Sequence, residues 1–325
     1  MNVLVTGATG FIGKHLIPSL LEKSFSVHAL ARPTSRRPAS FSDRVTWCEG
    51  NLSNPDSLKK ACRNMDTVIH LAGIVKAGKA AEYFAVNYEG TQNLLKAAAP
   101  SVRLILISSQ AAVGPTTAAH PLDEEAPPRP VSAYGRSKLA AEKAVIESDK
   151  SIRYTIIRPP VVYGPEDRES LSIFKLARYH LRPQIGFGKS FVNAIYVKDL
   201  VAFILACLQE PRAERQIFHI NDGIDNGYSY HELIQTAAEV LQTWTAPVFI
   251  PKIVLKGLAV INAFIADLFG RTSMFNPDKY HELTAPAWLL SAQKARRIVG
   301  FRAENSLSEG FTKTIRWYLS KGWLR

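Results

Sequence analysis

The chain has 325 residues, room for one large domain or a domain with a lobe, and its 46% apolar content is ordinary for a soluble globular protein. Cys48, Cys62 and Cys207 are odd in number and far apart, with no CxxC or Cys/His pairing. That excludes a disulfide framework or a zinc site and makes a reduced, cytoplasmic setting without metal the expectation. The net charge of +12 suits anionic cofactors or substrates, nucleic acid or a membrane surface, but the Lys and Arg residues are dispersed and no nucleic-acid motif is present, so no nucleic-acid partner is expected.

The first element is an apolar strand, Val3–Val5, too short for the core of a secretory leader. A helical pattern follows over Phe11–Lys23. Strand-like runs then recur at Val27–Leu30, Val45–Trp47, Val68–Leu71, Leu104–Ile107 and Tyr154–Ile157. They alternate with helical stretches at Asp56–Arg63, Ala81–Ala98 and Ala133–Glu147. Continuous apolar strands alternating with helices predict an α/β fold, a doubly wound parallel sheet covered on both faces. After Arg158 the rhythm loosens at Pro159, Pro160, Gly164, Pro165, Pro183, Gly186 and Gly188. A strand-like Phe218–Ile220, a helix-like His231–Leu241, a long apolar helix over Pro251–Phe269 and a Trp-rich tail complete the chain. Residues 1–160 are expected to form the sheet domain, with a late strand near 216–220 returning to it. Residues 161–325 are expected to form mainly a smaller lobe sharing its core.

Between the first strand and the first helix stand Gly7, Gly10 and Gly13, with Thr9, Phe11 and Ile12 among them. Glycines there permit a tight turn, let the backbone approach a pyrophosphate and let helix sit close to strand, while the helix N-terminus presents N–H groups to the anion. The spacing is GxxGxxG. The second strand ends HALARPTSRR, without the carboxylate that many NAD-binding proteins place there to hold the adenine ribose. Arg32, Ser35 and Arg36 occupy the region instead. Guanidinium groups beside the ribose suit a 2′-phosphate, which favours NADP over NAD.

A buried strand ending in Ser108 and Ser109 is followed by SAYGRSKLAAEKA. Tyr134 and Lys138, four apart on a predicted helix, fall on one face. An ammonium near a phenol favours the phenolate, and a serine hydroxyl at the strand end can bond the same substrate oxygen.

With these residues the chain resembles the extended short-chain dehydrogenase/reductase superfamily. That group includes NAD(P)-dependent sugar epimerases and dehydratases and 3β-hydroxysteroid dehydrogenase-like enzymes. The resemblance runs through TGATGFIG (Thr6–Gly13), GNLSNPDSL (Gly50–Leu58), DTVIHLAG (Asp66–Gly73), NYEGTQNLL (Asn87–Leu95), ISSQAAVG (Ile107–Gly114), YGRSK (Tyr134–Lys138) and RPPVVYGP (Arg158–Pro165). It implies a Rossmann NAD(P)-binding domain and a C-terminal substrate-binding lobe. It also implies Tyr134 as general acid/base, Lys138 as the group that lowers its pKa, and Ser109 as the hydroxyl that polarises the substrate oxygen. Asn51 and Leu52 would flank the adenine, although the family usually has Asp at the first. Leu71, Ala72, Gly73, Ile107 and Ser108 would line the cofactor groove, Asn87 would stand near the active site, and Pro159, Val161 and Val162 would pass beside the nicotinamide amide. A homodimer is the superfamily's habit and the expectation here.

Departures from the family pattern narrow the reaction. Dehydratases carry an acidic pair directly after the catalytic Ser/Thr, whereas Ser109 is followed by Gln110 and Ala111, which disfavours dehydration. Nucleotide-sugar members usually have Asn where Val161 stands, an Arg where Val192 stands and often Tyr at Val113. Lys189, Arg182 or Arg178 can substitute for the lost phosphate contacts, but the nucleotide-sugar reading is lowered. The alternative is an apolar, sterol-like substrate carrying a secondary alcohol or ketone. Val254, Leu258, Ile261, Ile265 and Leu268 form an apolar stripe on the 251–269 helix. Such a stripe packs on the lobe, forms a dimer surface or, as in similar segments of the steroid-dehydrogenase-like branch, covers the substrate and touches a membrane. Lys256, Asn262 and Asp267 interrupt it, so no membrane span is expected. The tail resembles C-terminal segments of bacterial members of this branch, with Trp288, Trp317 and Trp323 as packing residues. His70 reads as a packed, hydrogen-bonded side chain, and His231 and His281 as surface residues. Three functions stand: a hydride-transferring oxidoreductase, a nucleotide-sugar 4-epimerase, and a non-catalytic dinucleotide sensor, the last disfavoured because Ser109, Tyr134 and Lys138 are all present.

Overall fold

The computed structural model describes residues 1–116, 120–148, 152–186, 190–268 (263–268 by backbone only) and 277–324. The chain divides into two compact units. One comprises Met1–Ala112, Ala133–Arg158 and Val201–Phe218; the other comprises Val113–Ser132, Pro159–Leu200 and His219–Arg325.

The chain runs β1 (Asn2–Thr6), α1 (Phe11–Glu22), β2 (Ser26–Ala31), β3 (Thr46–Glu49), α2 (Pro55–Cys62), β4 (Thr67–His70) and α3 (Ala80–Tyr83). A π-helical segment, Phe84–Glu89, joins α3 to α4 (Gly90–Ala97). Next come β5 (Arg103–Ile107), α5 (Ala133–Ile146), β6 (Arg153–Arg158), β7 (Val161–Tyr163), α6 (Leu171–Arg178) and β8 (Leu181–Ile185). Then follow β9 (Phe191–Val192), β10 (Ala194–Tyr196), α7 (Val197–Gln209), β11 (Gln216–His219), β12 (Tyr228–Ser229) and α8 (Tyr230–Val240). The last elements are β13 (Ala246–Ile250), α9 (Lys252–Leu268), α10 (Pro277–Thr284), β14 (Ala287–Trp288), α11 (Gln293–Val299) and α12 (Leu307–Ser320).

The first unit is built on a seven-stranded sheet ordered β11-β6-β5-β4-β1-β2-β3. β1 runs parallel to both neighbours, with Val3 opposite Val27 on β2 and Thr67 on β4. The chain winds outward from β1 through β2 to β3, then returns to β4 and winds the other way. The carboxyl ends of β1 and β4 therefore flank a switch point, where doubly wound sheets bind ligands. Val3, Leu4, Val5, Val68, Ile69 and Ile105 are wholly buried, which is why these strands read as unbroken apolar runs. Leu4, Leu30, Leu58, Val68, Leu94, Leu104 and Ile156 join the strands to the helices in one core.

The pattern over Ala81–Ala98 reads as one continuous helix, but the structure widens it into a π turn at Phe84–Glu89. Such turns are a recurrent mark of functional sites. Here the turn buries Asn87.

The second unit is assembled from short pieces: a three-stranded sheet β12-β9-β14, the pair β10–β7, and a two-stranded parallel ribbon of β8 and β13. Phe174, Phe311 and Tyr318 fill its core, with the Phe174 and Phe311 rings 4.8 Å apart, edge to face. Trp323 stacks on Tyr318 and the Trp288 indole N–H donates to the Glu282 carbonyl. Val254, Leu258 and Ile261, the described part of the α9 stripe, do not bury against the lobe: all three are exposed. The side chains of Ile265 and Leu268 lie outside the described residues.

Candidate active site

The glycine turn closes tightly. Gly7 has φ +69°, and a Cβ there would lie 2.7 Å from the Ala72 nitrogen; a Cβ on Gly13 would lie 2.5 Å from the Gly7 carbonyl oxygen. The ends of β1 and β4 and the first turn of α1 thus meet at distances that only glycine allows. The Gly10 N–H donates to the Gly7 carbonyl at 2.9 Å. α1 has no side-chain N-cap and no acidic residue in its first turn, so the N–H groups around Phe11, Ile12 and Gly13 present the positive helix end to an incoming anion. The cradle fits a dinucleotide pyrophosphate.

At the end of β2, Arg32 and Arg36 are exposed, and the Ser35 N–H closes a turn on the Arg32 carbonyl at 2.9 Å. Arg37 instead pairs with Glu49 on β3 at 2.7 Å and lies over the Trp47 ring. Asn51 spends its Oδ1 on the Ser53 N–H and hydroxyl, leaving its amide NH₂ as the donor it can offer. Leu52 touches Gly90, where a Cβ would lie 2.9 Å from the leucine Cβ.

Tyr134 and Lys138 stand one turn apart on α5. Lys138 is buried and its ammonium donates to the Ile107 carbonyl, the last of β5, at 2.7 Å. Burial pushes its pKa down to about 8, with the Glu142 carboxylate pulling the other way. Glu142, one further turn along α5 and wholly buried, accepts from Arg158 Nε at 3.0 Å and from Nη2 at 2.7 Å, and also from the Ser108 hydroxyl. Ser108 is thereby committed to the protein. Ser109 is half-buried, and its Oγ accepts the Ala111 N–H at 3.1 Å, which leaves its own proton to give. Gln110 Oε1 is buried with no partner among the described residues. The Tyr134 ring lies 6.0 Å from that of Tyr83, whose hydroxyl accepts the Ala77 N–H at 3.1 Å.

A second set of contacts fixes this face of α5. Asn87 accepts the Ile74 N–H at 2.8 Å and donates to the Ile74 carbonyl at 3.1 Å and the Ser137 hydroxyl at 2.9 Å; Ser137 donates to the Tyr134 carbonyl at 2.7 Å. Asn87, expected beside the cofactor, thus uses its whole amide to tie the β4 loop to α5. Gly73 lies between them: a Cβ there would come within 2.9 Å of Asn87 Oδ1 and 3.9 Å of Lys138 Nζ. His70 is held between Thr6 Oγ1 at 2.6 Å and Thr91 Oγ1 at 3.1 Å. Thr6 Oγ1 accepts the Ala72 N–H, and Thr91 donates to the Asn87 carbonyl. Thr6 therefore gives its proton to His70 Nδ1, and His70 carries its own on Nε2. Burial, and then the nearby Lys138 cation, push its pKa down to about 3, so the ring is neutral.

Glu142, Arg158 and Ser137 were not singled out from the sequence. The available signal was Glu142's position four residues beyond Lys138, on the same helix face.

In the second unit, Val161 and Val162 lie on β7, where the Val161 N–H donates to the Asn193 carbonyl at 3.3 Å. Val192 is buried on β9, Arg178 is exposed, and Lys189 lies outside the described residues. A pocket of 620 Å³ is lined by Ile173, Leu176, Pro183, Ile185, Ile234 and Leu283 among others. Arg182 is a charged group in its wall; it donates from Nη1 to Gln235 at 3.0 Å, while its Nε is buried without a partner among the described residues. Among the described residues no cluster of His, Cys, Asp or Glu could hold a metal ion.

The family model described as the NAD dependent epimerase/dehydratase family matches residues 3–221. The chain belongs to this family. It is 32% identical to a ceramide reductase of Caulobacter vibrioides, over 99% of this chain and 96% of that protein. It is 30% identical to a UDP-glucose 4-epimerase of Vibrio cholerae, over 98% and 95%. Among solved structures, MoeE5 in complex with UDP-glucuronic acid and NAD superposes with a TM-score of 0.77 at 25% identity, covering 99% of this chain and 100% of that one. The protein is accordingly an NAD(P)-dependent enzyme of the extended short-chain dehydrogenase/reductase type, within the range of oxidoreductases and epimerases.

Proposed function

We propose that the chain is an NADP(H)-dependent oxidoreductase that moves a hydride between nicotinamide C4 and a ketone or secondary alcohol on an apolar, lipid-like substrate. What supports this most is Tyr134 and a buried Lys138 on one face of α5, next to a Ser109 followed by no acid. Gly7, Thr9, Gly10, Phe11, Ile12 and Gly13 would hold the pyrophosphate, Asn51 and Leu52 the adenine, and Arg32, Ser35 and Arg36 a 2′-phosphate. Leu71, Ala72, Gly73, Ile107, Lys138, Pro159, Val161 and Val162 would serve the nicotinamide half. When bound, the nicotinamide supplies or accepts the hydride. In reduction the Tyr134 hydroxyl gives its proton to the carbonyl oxygen, and in oxidation the phenolate takes it back. The Lys138 ammonium favours that phenolate. The Ser109 hydroxyl donates to the same oxygen. With His70 neutral, Lys138 supplies the positive charge there. A cytoplasmic homodimer accompanies this reading.

The substrate class rests on the apolar pocket of the second unit, on Val161 and Val192 where phosphate contacts stand in nucleotide-sugar relatives, and on the full-length likeness to a ceramide reductase. Tyr134→Phe is expected to lower turnover of a long-chain ketone at least a thousandfold while dinucleotide affinity stays within threefold; full activity in that variant overturns the assignment. The second reading, a nucleotide-sugar 4-epimerase, is favoured by the Vibrio relative. It requires thermal stabilisation by UDP-glucose and none by keto lipids.

A further inference from the structure

Glu142 stands where three segments of the first unit meet. Its Oε1 accepts the Ser108 hydroxyl and Arg158 Nε, the latter at 3.0 Å, and its Oε2 accepts Arg158 Nη2 at 2.7 Å. Ser108 follows the last residue of β5 and precedes Ser109; Arg158 is the last residue of β6 and precedes Pro159. The two strands are joined there as well, since the Ser108 N–H donates to the Ile157 carbonyl at 2.7 Å. One turn earlier on α5, Lys138 holds the Ile107 carbonyl at 2.7 Å. The two residues before Ser109 are thus each tied to the helix that carries Tyr134, one by a carboxylate and one by an ammonium. A two-pronged Arg–carboxylate pair adds geometric specificity to such a tie. All four side chains are out of water: Ser108, Lys138, Glu142 and Arg158 are 5, 6, 0 and 3% exposed.

Burial works against every charge in this cluster. Arg158 keeps its proton at any working pH. Lys138 can lose its own: burial has brought its pKa down to about 8, and the Glu142 carboxylate pulls it back up. The other titratable groups about Lys138 are Tyr134 on its own helix, Tyr83 of α3 against the Tyr134 ring, and His70 on β4, which is neutral. With a neutral side chain at position 142, the lysine is therefore the cation that gives way. The ammonium is the group that favours the Tyr134 phenolate. Its loss reaches the chemistry with no change in any residue that touches substrate.

We propose that Glu142 is a positioning residue of the catalytic machinery: its carboxylate clamps Ser108 and Arg158, so that the strand end carrying Ser109 is held against the helix carrying Tyr134, and it supplies the counter-charge for the buried ammonium of Lys138. The clamp sets where the serine hydroxyl stands, and the charge sets whether Lys138 remains a cation. Both rest on the roles proposed for Ser109, Tyr134 and Lys138.

The test follows the ¹³Cε resonance of Lys138 against pH in the full chain labelled on lysine, the signal being assigned by its loss in Lys138→Arg. The wild type is expected to titrate near pH 8. In Glu142→Gln the midpoint should fall by at least about one pH unit, a tenfold loss of proton affinity. Glu142→Asp keeps the charge and should titrate within about half a pH unit of wild type. Ser108→Ala keeps the charge and cuts the clamp: the titration should stay in place, while kcat for a long-chain ketone falls about tenfold with KM within about twofold. A residue that merely braced the fold would move the urea midpoint and leave the Lys138 titration where it was. The proposal is overturned if Lys138 of Glu142→Gln titrates as in the wild type, if Glu142→Asp displaces it as far as Gln does, or if Ser108→Ala turns over at the wild-type rate. Should Glu142→Gln not fold, Ser108→Ala alone decides, and an undiminished kcat overturns the clamp. A wild type that reduces no ketone sinks the functional reading, whereas the titration, which needs neither substrate nor cofactor, still decides the part played by Glu142.

Discussion

Gly13→Ala is the sharpest probe of the cofactor cradle. The added Cβ would lie 2.5 Å from the Gly7 oxygen, 2.7 Å from the Ala8 oxygen and 2.8 Å from the Ala8 carbonyl carbon. Ordinary carbon contacts are about 3.5–4.0 Å, so the turn must retreat by roughly 1 Å. All three atoms are backbone, and no side-chain rotation relieves the clash. The retreat moves the N–H groups that face the pyrophosphate. A hydrogen bond to a charged group contributes about 1.5–3 kcal/mol, so losing one weakens dinucleotide binding about 10- to 150-fold. Alanine also raises helix propensity by about 1 kcal/mol, which offsets part of the strain and keeps the free protein folded. Gly300→Ala is the control: this C-cap of α11 has φ +69° with nothing within 4 Å of a built Cβ. It should cost about 1 kcal/mol of stability and nothing in binding. Isothermal titration with NADP and NAD reads both variants. Binding by Gly13→Ala within threefold of wild type would refute the cradle.

His70 makes the fold acid-sensitive. Its folded pKa of about 3 lies below the unfolded value near 6.5. Below pH 6.5 the unfolded chain therefore binds the extra proton, and stability present above that pH is lost at up to about 1.4 kcal/mol per unit as pH falls toward 3. Urea midpoints at pH 7, 5 and 4 should show this slope, and His70→Asn should flatten it; equal slopes would rule His70 out. Glu142→Gln removes the buried carboxylate that pairs with buried Arg158 and should cost about 3–5 kcal/mol of stability, read by urea unfolding. A loss under 1 kcal/mol would mean that the pair is solvated. Arg32→Ala with Arg36→Ala should weaken NADP at least tenfold and leave NAD within twofold, and equal losses for both cofactors would show that neither arginine reads a 2′-phosphate.

The sequence alone determined the sheet and the glycine turn at its edge, because both depend on short-range rules. Val3–Val5 and Leu104–Ile107 are apolar throughout since each is covered on two faces, and a glycine is required wherever strand, turn and helix meet closer than a Cβ permits. Tyr134 and Lys138 were legible for the same reason: four residues along a helix make one face. Only the tertiary structure decided what those residues bind within the protein. The π turn that aims Asn87 at Ile74 and Ser137, the Glu142–Arg158 pair beneath Ser108, and the chain from Thr6 through His70 to Thr91 each join segments 13 to 64 residues apart. No local periodicity encodes such pairings. The fate of the 251–269 stripe was equally hidden. An apolar helix face looks the same in sequence whether it turns into a core or out of it, and the direction is set by which other elements are left to cover it.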